Sequence, residues 1–225
     1  MHKKILSHWL IVVLLGIMLI IGFLTYNDYG ITVDEATQRS IAWDWIDYIV
    51  NDNDGILTSP DKIFGPAFEV PLFMLETSLF DLDEYHRIYP FRHLMIHLFY
   101  LIGAFFFYLI IYSIYQNKRL AFLGTLLLLI HPRIYGHSFY NSKDIPFMVG
   151  IILCTYFLVK LCQSNKKRWL ISLGVGLGLL INLRFAGIIY LGIFPLFYLI
   201  YQRSVALKPI FQSGLIILIS LISLF

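Results

Sequence analysis

Long apolar runs alternate along this chain with shorter polar segments. A helix needs roughly 20 apolar residues to cross the hydrocarbon core of a bilayer. Seven runs approach that length, namely residues 8–26, 93–115, 119–132, 145–162, 169–183, 186–202 and 209–225. These runs do not alternate apolar and polar residues with a period of two, so helices are favoured over a β-barrel. The pattern predicts an all-α polytopic membrane protein with about seven transmembrane helices.

The first apolar run follows MHKK, which is typical of the start of a signal peptide. Its apolar core is long for a cleaved signal, and no small-x-small cleavage site precedes TYNDYG. We therefore expect the run to be retained as a signal anchor, with a cleaved signal peptide as the alternative. The last run ends with the chain, so residues 1–225 are expected to form a single transmembrane module that is truncated at its C-terminus.

Two segments are too polar to cross a bilayer, residues 27–92 and 133–144. In the first, Thr32 and Glu35 have the spacing of a capping box, which predicts a helix that begins there. A second amphipathic segment, GPAFEVPLFMLETSLF, covers residues 65–80. We expect two juxtamembrane helices in this first segment, because its aromatic residues suit the headgroup level of a membrane.

Composition and charge add a class and an orientation to this picture. The 225 residues are 59% hydrophobic and 14% charged, whereas soluble domains are about half apolar and about a quarter charged. Lysines and arginines cluster at alternate ends of successive runs, at 3–4, 118–119, 166–168 and 203–208, and the positive-inside rule makes those ends cytoplasmic. All 14 Asp and Glu residues lie in 27–92 and 133–144. The N-terminus is therefore predicted to be cytoplasmic, and both polar segments extracytoplasmic.

Asp34 and Glu35 form an acid pair shortly after the first apolar run. Helix capping explains part of the role of Glu35, and carboxylates at a helix N-terminus also suit the helix dipole. Two adjacent acids close to lipid are nevertheless costly unless they are hydrated, paired or bound to a metal. A carboxylate at this position could act as a general base on an acceptor hydroxyl, or it could bind a divalent cation.

The second polar segment carries several charges within HPRIYGHSFYNSKDIPF. Asp144 is placed to cap the fourth predicted span, and its position alone favours that role. Arg133, His137 and Lys143 change this interpretation, because the positive-inside rule disfavours cations at this end of the spans. Such cations can hold a phosphate, arginine in a bidentate manner. Side chains that snorkel towards the headgroups are the alternative explanation.

Arg184 and Arg92 are further cations at the predicted extracytoplasmic ends of spans. Arg184, in INLRFAG, lies between two spans with almost no connecting loop, which makes it a candidate for function. Arg92 has a similar position at the start of the second span. His93 and His97 lie one helical turn apart, but polar residues near a helix end are the simpler interpretation than a shared metal ion.

Other motifs point away from soluble chemistry. NDNDG at 51–55 differs from an EF-hand in the offset of its glycine and in having no closing glutamate. GVGLG at 174–178 has no strand before it, so we expect it to serve helix packing rather than nucleotide binding. Cys154 and Cys162 fall inside one apolar run and are interpreted as small apolar residues. We expect no nucleic acid among the partners.

The order of these elements resembles the GT-C superfamily of membrane glycosyltransferases. It is most similar to the family-39 branch, with its protein O-mannosyltransferases and lipid A aminoarabinose transferase. GITVDEATQ resembles the acid motif of the family's first outer loop, and HPRIYGHSFYNSKDIPF resembles its second outer loop. NLRFAG is similar to the short basic turn between the fifth and sixth spans. The resemblance covers nearly the whole chain as an N-terminal module.

The resemblance implies an enzyme of the bacterial inner membrane that takes a sugar from a polyprenyl-phosphate carrier on the extracytoplasmic face. The acceptor would be a glycan, a lipid or a protein. Asp34 would be the base or the key acid, with Glu35 beside it, and Asp144 would be the second-loop acid, which helps to hold a divalent ion or the acceptor. Asp34 and Asp144 would also be the ligands of any divalent ion, Mg or Mn. Arg133, Lys143 and Arg184 would neutralise the carrier phosphate, which is also the leaving group. His137 and Arg92 are the other residues expected to bind substrate.

Two other classes of function stay open at this point. A transporter or flippase for an anionic lipid would use the same cations, but it would need charged groups near the bilayer midplane. A non-catalytic scaffold or fragment predicts that Asp34 and Asp144 lie apart in the fold. Members of the resembled family are usually longer than this chain, so part of the acceptor site is expected to lie elsewhere.

Overall fold

The protein is described by a computed structural model over residues 8–202 and 207–222, and most of these residues are helical. The helices, numbered in chain order, are α1 (Trp9–Thr25), α2 (Val33–Asn51), α3 (Gly55–Thr58), α4 (Pro66–Leu79), α5 (Tyr85–Tyr115), α6 (Lys118–Leu129), α7 (Pro132–Tyr140), α8 (Asp144–Ser164), α9 (Lys167–Leu183), α10 (Ile189–Gln202) and α11 (Leu207–Ile222). Short 3-10 turns lie at Pro60–Ile63 and Phe185–Ile188. The described residues contain no strand, only an isolated antiparallel bridge between Phe64 and Arg184. The all-α prediction is confirmed.

Four segments of the described chain are long and apolar enough to cross a membrane: Trp9–Asp28, Tyr85–Tyr115, Asp144–Ser164 and Phe185–Gln202. The predicted count of seven spans is therefore not confirmed. The runs at 119–132 and 169–183 correspond to α6, with 12 residues, and α9, with 17 residues. Both are shorter than the roughly 20 residues that a bilayer core requires. The run at 209–225 lies partly outside the described residues.

The acidic residues lie at one end of the bundle, and clusters of lysine and arginine lie at the other end. Helices α5 and α8 run side by side in one direction, because Lys160 Nζ donates to Ser113 Oγ (2.8 Å) near the C-terminal ends of both. Lys118 and Lys166 follow shortly after the C-termini of α5 and α8. We call this end of the bundle the basic end. The N-termini of α5 and α8 define the acidic end. Three cations used for the predicted orientation lie outside the described residues: Lys3, Lys4 and Arg203.

Helix α5 is central and contacts α1, α6, α7 and α8. Its contact with α8 is very close at Gly103, where an added Cβ would lie 2.6 Å from Val149 Cγ2. Small residues allow helices to approach this closely. In a membrane, van der Waals packing rather than the hydrophobic effect drives helix association. Helix α5 therefore positions α7 and α8, which carry the second polar segment, relative to α1.

The glycines of GVGLG serve packing, as predicted from the sequence. A Cβ added at Gly174 of α9 would lie 2.7 Å from the Cβ of Ile219 in α11. A Cβ added at Gly176 would lie 3.0 Å from Cys154 Sγ in α8. Because α9 follows α8 after a short turn at 165–166 and packs back along it, its C-terminal end and Arg184 come to the acidic end beside the start of α8.

The first polar segment folds into two main helices, α2 and α4, as predicted. The Thr32 N–H donates to Glu35 Oε2 at 2.7 Å and forms the expected capping box of α2. Helix α2 ends at NDNDG, where the amides of Asn51 and Asn53 donate to the Asp47 carboxylate at 2.7 and 2.6 Å. These two hydrogen bonds lower the pKa of Asp47.

The second polar segment is mostly helical, which differs from the predicted loop. Helix α7 covers Pro132–Tyr140 and begins with proline, a residue that suits the first turn of a helix. The prediction that Asp144 caps α8 is wrong. Lys143 holds the cap position, and Asn141 Oδ1 accepts from the Asp144 N–H at 2.8 Å. The turn at 141–143 places the Asn141 amide, not the Asp144 carboxylate, on the free N–H groups of the helix.

Candidate functional site

Three separate segments meet at the acidic end through two ion pairs. Lys143 Nζ lies 2.7 Å from Asp34 Oδ2 and joins the turn before α8 to the start of α2. Arg184 Nη1 lies 2.7 Å from Asp144 Oδ1 and joins the end of α9 to the start of α8. All four side chains are partly exposed, Asp34 the most at 66%. The structure thus brings the first and second polar segments together and gives each aspartate a cation.

Phe64 lies between the two ion pairs. Its ring centroid is 5.8 Å from Lys143 Nζ and 5.4 Å from Arg184 Cζ. A cation within about 6 Å of a ring centroid is attracted by the negative face of the ring. Phe64 therefore contacts both cations and belongs to the site, although it carries no charge.

The backbone around Phe64 docks on the C-terminal end of α9. The Gly65 N–H donates to the Leu183 C=O at 3.3 Å. A Cβ at Gly65 would lie 2.0 Å from the backbone oxygen of Asn182, so only glycine permits this contact. Trp45 Nε1–H of α2 donates to the Phe64 C=O at 2.8 Å. The backbone on either side of the Phe64 ring is therefore held by α9 and by a side chain of α2, and these contacts determine where the ring lies.

Helix α7 is anchored on α5 by buried residues. His97 Nδ1 of α5 lies 2.9 Å from Ser138 Oγ, and the His97 ring stacks on Phe139 with 4.3 Å between centroids. Tyr29 also stacks on Phe139, at 4.2 Å. Burial raises the pKa of Tyr29, which keeps its hydroxyl protonated. The anchoring holds the neighbouring His137 at the edge of the site.

Two small cavities open beside the ion pairs. One of about 70 Å³ is lined by Asp34 and Lys143. The other, of about 240 Å³, is lined by Arg133 and Asp144. Both cavities have two lining residues in common: His137 and Asn141. The predicted residues of the second polar segment thus surround adjoining spaces, and α7 with its following turn separates them.

Glu35 faces the interior rather than these cavities. Its side chain is 1% exposed, and its Oε1 lies 2.7 Å from His93 Nε2 of α5. Its Oε2 accepts from the Thr32 N–H. His93 Nδ1 in turn lies 3.2 Å from the C=O of Tyr26. Both oxygens of Glu35 are engaged, so its contacts lock the start of α2, and Asp34 with it, against α5.

Arg92 is buried among acidic side chains and does not reach the cavities. It is 1% exposed, its Nη2 is hydrogen-bonded to Glu69, and its Nη1 lies 2.8 Å from Glu76 Oε2. The other Glu76 oxygen lies 2.6 Å from Arg39 Nε. The expectation that Arg92 binds substrate does not fit this position, because carboxylates of α4 occupy both of its terminal nitrogens. The position of Arg92 near the start of a helix in the sequence does not indicate that α4 covers its side chain.

The donor set of the site does not fit Mg or Mn as it stands. Within residues 8–202 and 207–222, no group of three or more His, Cys, Asp or Glu side chains is arranged to hold a metal ion. Asp34 and Asp144, the expected ligands, each contact a cation. A divalent ion bound at either aspartate would lie close to Lys143 or Arg184, and like charges that lie so close together repel each other.

A larger cavity of about 800 Å³ lies among α4, α5, α8 and α9. Its lining is almost wholly apolar and includes Leu98, Leu153 and Val175. Ala67 and Leu183 also line it. Ala67 lies shortly after Phe64 in the chain, and Leu183 lies directly before Arg184. The cavity therefore begins next to the ion pairs, which suits a ligand with a long apolar part and a charged head.

Phe64 and Asn141 were missed in the sequence. Phe64 precedes a Gly-Pro pair, which indicates a turn, but no sequence pattern places an aromatic ring beside two distant cations. Asn141 lies three residues before Asp144, and asparagine is a common capping residue. The sequence therefore carries a signal for Asn141 as a cap, beside the charged candidates Lys143 and Asp144.

These features define an integral membrane protein with a charged, partly exposed site at one end of a helical bundle. Residues 90–225 match the family model of dolichyl-phosphate-mannose-protein mannosyltransferases, and the chain belongs to this family, which is of the GT-C type. The resemblance seen in the sequence is confirmed, and the family indicates a glycosyltransferase. The matched region includes α7, Asp144 and Arg184, and it begins after Asp34. Searches of curated proteins and of solved structures gave no match.

Proposed function

We propose that the chain transfers a sugar from a polyprenyl-phosphate carrier to an acceptor on the extracytoplasmic face of a bacterial inner membrane. One observation carries this proposal: the ion pairs Lys143–Asp34 and Arg184–Asp144 lie beside the apolar cavity of about 800 Å³. A polyprenyl chain needs an apolar site, and its phosphate needs cations at the mouth of that site. The family match supports such a donor independently.

The cations bind the donor phosphate and stabilise it as the leaving group. Lys143 and Arg184 flank Phe64, and Arg133 lines the cavity that also holds Asp144. Negative charge grows on the phosphate as the bond from the anomeric carbon to the phosphate oxygen breaks. Cations that are already held in place stabilise that charge without reorganisation, which is a large contribution to catalysis.

Asp34 is the general base of the proposed reaction. Its carboxylate is exposed, and it lies 2.7 Å from one of the phosphate-binding cations, Lys143. The acceptor hydroxyl gives its proton to Asp34 while its oxygen forms the new bond to the anomeric carbon. The polyprenyl phosphate departs as an anion. Asp144 orients Arg184. Glu35, which is buried and directly follows Asp34 in the chain, holds Asp34 in position.

The test is donor consumption by the full chain in proteoliposomes, with radiolabelled polyprenyl-phosphate mannose as the donor and bacterial membrane extract as the source of acceptor. We expect transfer of label, and a loss of about 100-fold or more in Asp34→Asn, since general bases contribute about that much. Asp44→Asn is the matched control, because Asp44 is an exposed acid on the same helix. Label that crosses the bilayer without a new glycosidic bond would favour a flippase instead.

The divalent ion is tested in the same assay with EDTA. Because Lys143 and Arg184 already supply positive charge at the expected ligands, we expect transfer to continue in EDTA. A loss of transfer that Mg or Mn restores would show that transfer requires a divalent ion.

The extracytoplasmic location is tested by Lys62→Cys, since Lys62 is exposed at the acidic end. An impermeant maleimide should label this cysteine in intact cells with a permeable outer membrane.

A further inference from the structure

The side-chain amide of Asn141 makes three contacts in the turn between α7 and α8. Its Oδ1 accepts from the backbone N–H of Asp144 at 2.8 Å. Its Nδ2 donates to Asp144 Oδ2 at 3.0 Å. The same Nδ2 lies 2.9 Å from His137 Nδ1, one helical turn earlier. The amide thus joins two residues that line the cavities at the acidic end.

The orientation of this amide follows from its partners. A backbone N–H can only donate, so the atom that faces the Asp144 N–H must be the amide oxygen. An ionised carboxylate can only accept, so the atom that faces Asp144 Oδ2 must be the amide nitrogen. Both requirements give the same orientation. The nitrogen that faces His137 is therefore a donor.

The protonation of His137 follows in turn. Because Asn141 Nδ2 donates, His137 Nδ1 must accept, and it cannot carry a proton. The single ring proton of a neutral imidazole then lies on Nε2. His137 is half-buried, and it lines both the cavity with Asp34 and Lys143 and the cavity with Arg133 and Asp144. No partner for Nε2 is present among the described residues.

We propose that Asn141 is a positioning residue that holds His137 as the neutral Nε2–H form, which donates to a phosphate oxygen of the donor. This inference rests on the proposed function for the identity of the ligand. A phosphate is favoured over an acceptor hydroxyl because two cations, Lys143 and Arg133, each line one of the two cavities that His137 also lines. One amide thereby orients both the Asp144 carboxylate and the His137 donor.

Two substitutions of His137 separate this role from a structural one. His137→Gln carries an amide N–H near the position of Nε2, whereas His137→Asn carries one near Nδ1. We expect His137→Gln to keep most of the activity and His137→Asn to raise the KM for the donor by about 10- to 100-fold, the range for a hydrogen bond to a charged group. The KM for the acceptor should stay within about twofold. A higher acceptor KM with an unchanged donor KM would overturn the assignment to phosphate.

Asn141→Ala should resemble His137→Asn, because the ring is then free to place its proton on Nδ1. In the His137→Gln background, Asn141→Ala should have a smaller effect on the donor KM than in the wild type, since no tautomer remains to be fixed. Equal effects in both backgrounds would mean that Asn141 acts only through Asp144 or through the fold, and would overturn the proposal.

The tautomer itself is measured without any substrate. Nitrogen NMR of ¹⁵N-histidine-labelled protein, with His137 assigned by its absence in His137→Gln, should show an unprotonated Nδ1 and a protonated Nε2 at neutral pH. A protonated Nδ1 would overturn the inference whatever the activity. If the NMR result is as expected and no donor is consumed, the tautomer holds, the proposed function fails, and the donation to phosphate fails with it.

Discussion

Lys143 Nζ lies 2.7 Å from Asp34 Oδ2, although 109 residues separate them in the chain. This contact closes the second polar segment over the start of α2. It also places a cation beside the carboxylate that we propose as the base. An exposed ion pair of this kind stabilises a fold by at most about 1 kcal/mol, so its main consequence is expected in function rather than in folding.

Lys143→Gln tests that expectation. We expect transfer to fall by about 100-fold, because a preorganised group that stabilises the leaving phosphate is lost. The free energy of unfolding should change by less than about 1 kcal/mol, measured as a thermal shift in detergent. Arg87→Gln is the control, since Arg87 forms a similar exposed pair with Glu84 outside the site. A fall in activity of the same size in both variants would contradict a specific role.

Arg92→Met should damage the fold. Glu69 and Glu76 would then lose the buried positive charge that compensates their negative charges. Removal of one partner from a buried ion pair costs about 3–5 kcal/mol of folding free energy. We expect poor yield of folded protein by size-exclusion chromatography. Adding Glu69→Gln should recover part of the yield, because one buried charge is removed with its partner. Normal yield with a raised donor KM would restore Arg92 as a substrate-binding residue.

Gly65→Ala should weaken the docking of Phe64 on α9. The added Cβ would lie 2.0 Å from the Asn182 oxygen, and such overpacking typically costs about 1–3 kcal/mol. Phe64 should move from Lys143 and Arg184, and kcat/KM for transfer should fall. Gly30→Ala, in the same polar segment with nothing within 4 Å of its added Cβ, should be silent. Equal activity of the two variants would contradict the role of this contact.

Ala67→Phe should partly fill the cavity of about 800 Å³ that Ala67 lines. If the polyprenyl chain occupies it, the KM for a long-chain donor should rise by about tenfold, since roughly 1.4 kcal/mol of binding is a factor of ten. A short-chain analogue should be affected less. Ala67→Ser changes little volume and serves as the control. Equal increases for both donors would place the lipid elsewhere.

The elements that sequence alone predicted correctly depend on local patterns. The capping box at Thr32 and Glu35 is a contact across three residues, and the packing role of GVGLG follows from residue size. The helices of the first polar segment follow from their amphipathic pattern and from the turn residues between them. The count of spans was less successful, because the runs at 119–132 and 169–183 form helices of 12 and 17 residues. Apolar composition alone does not decide whether helices of that length cross a membrane.

The sequence by itself determined the membrane class, the helical fold, the charged ends and most of the candidate residues, because apolar length and charge are properties of short stretches of chain. Only the tertiary structure decided what each charged residue does. Arg92 and Arg184 have similar positions in the sequence, yet one is covered by acids of α4 and the other reaches Asp144 and Phe64 at the surface. That difference depends on which helices pack together, and packing joins residues that lie far apart in the chain.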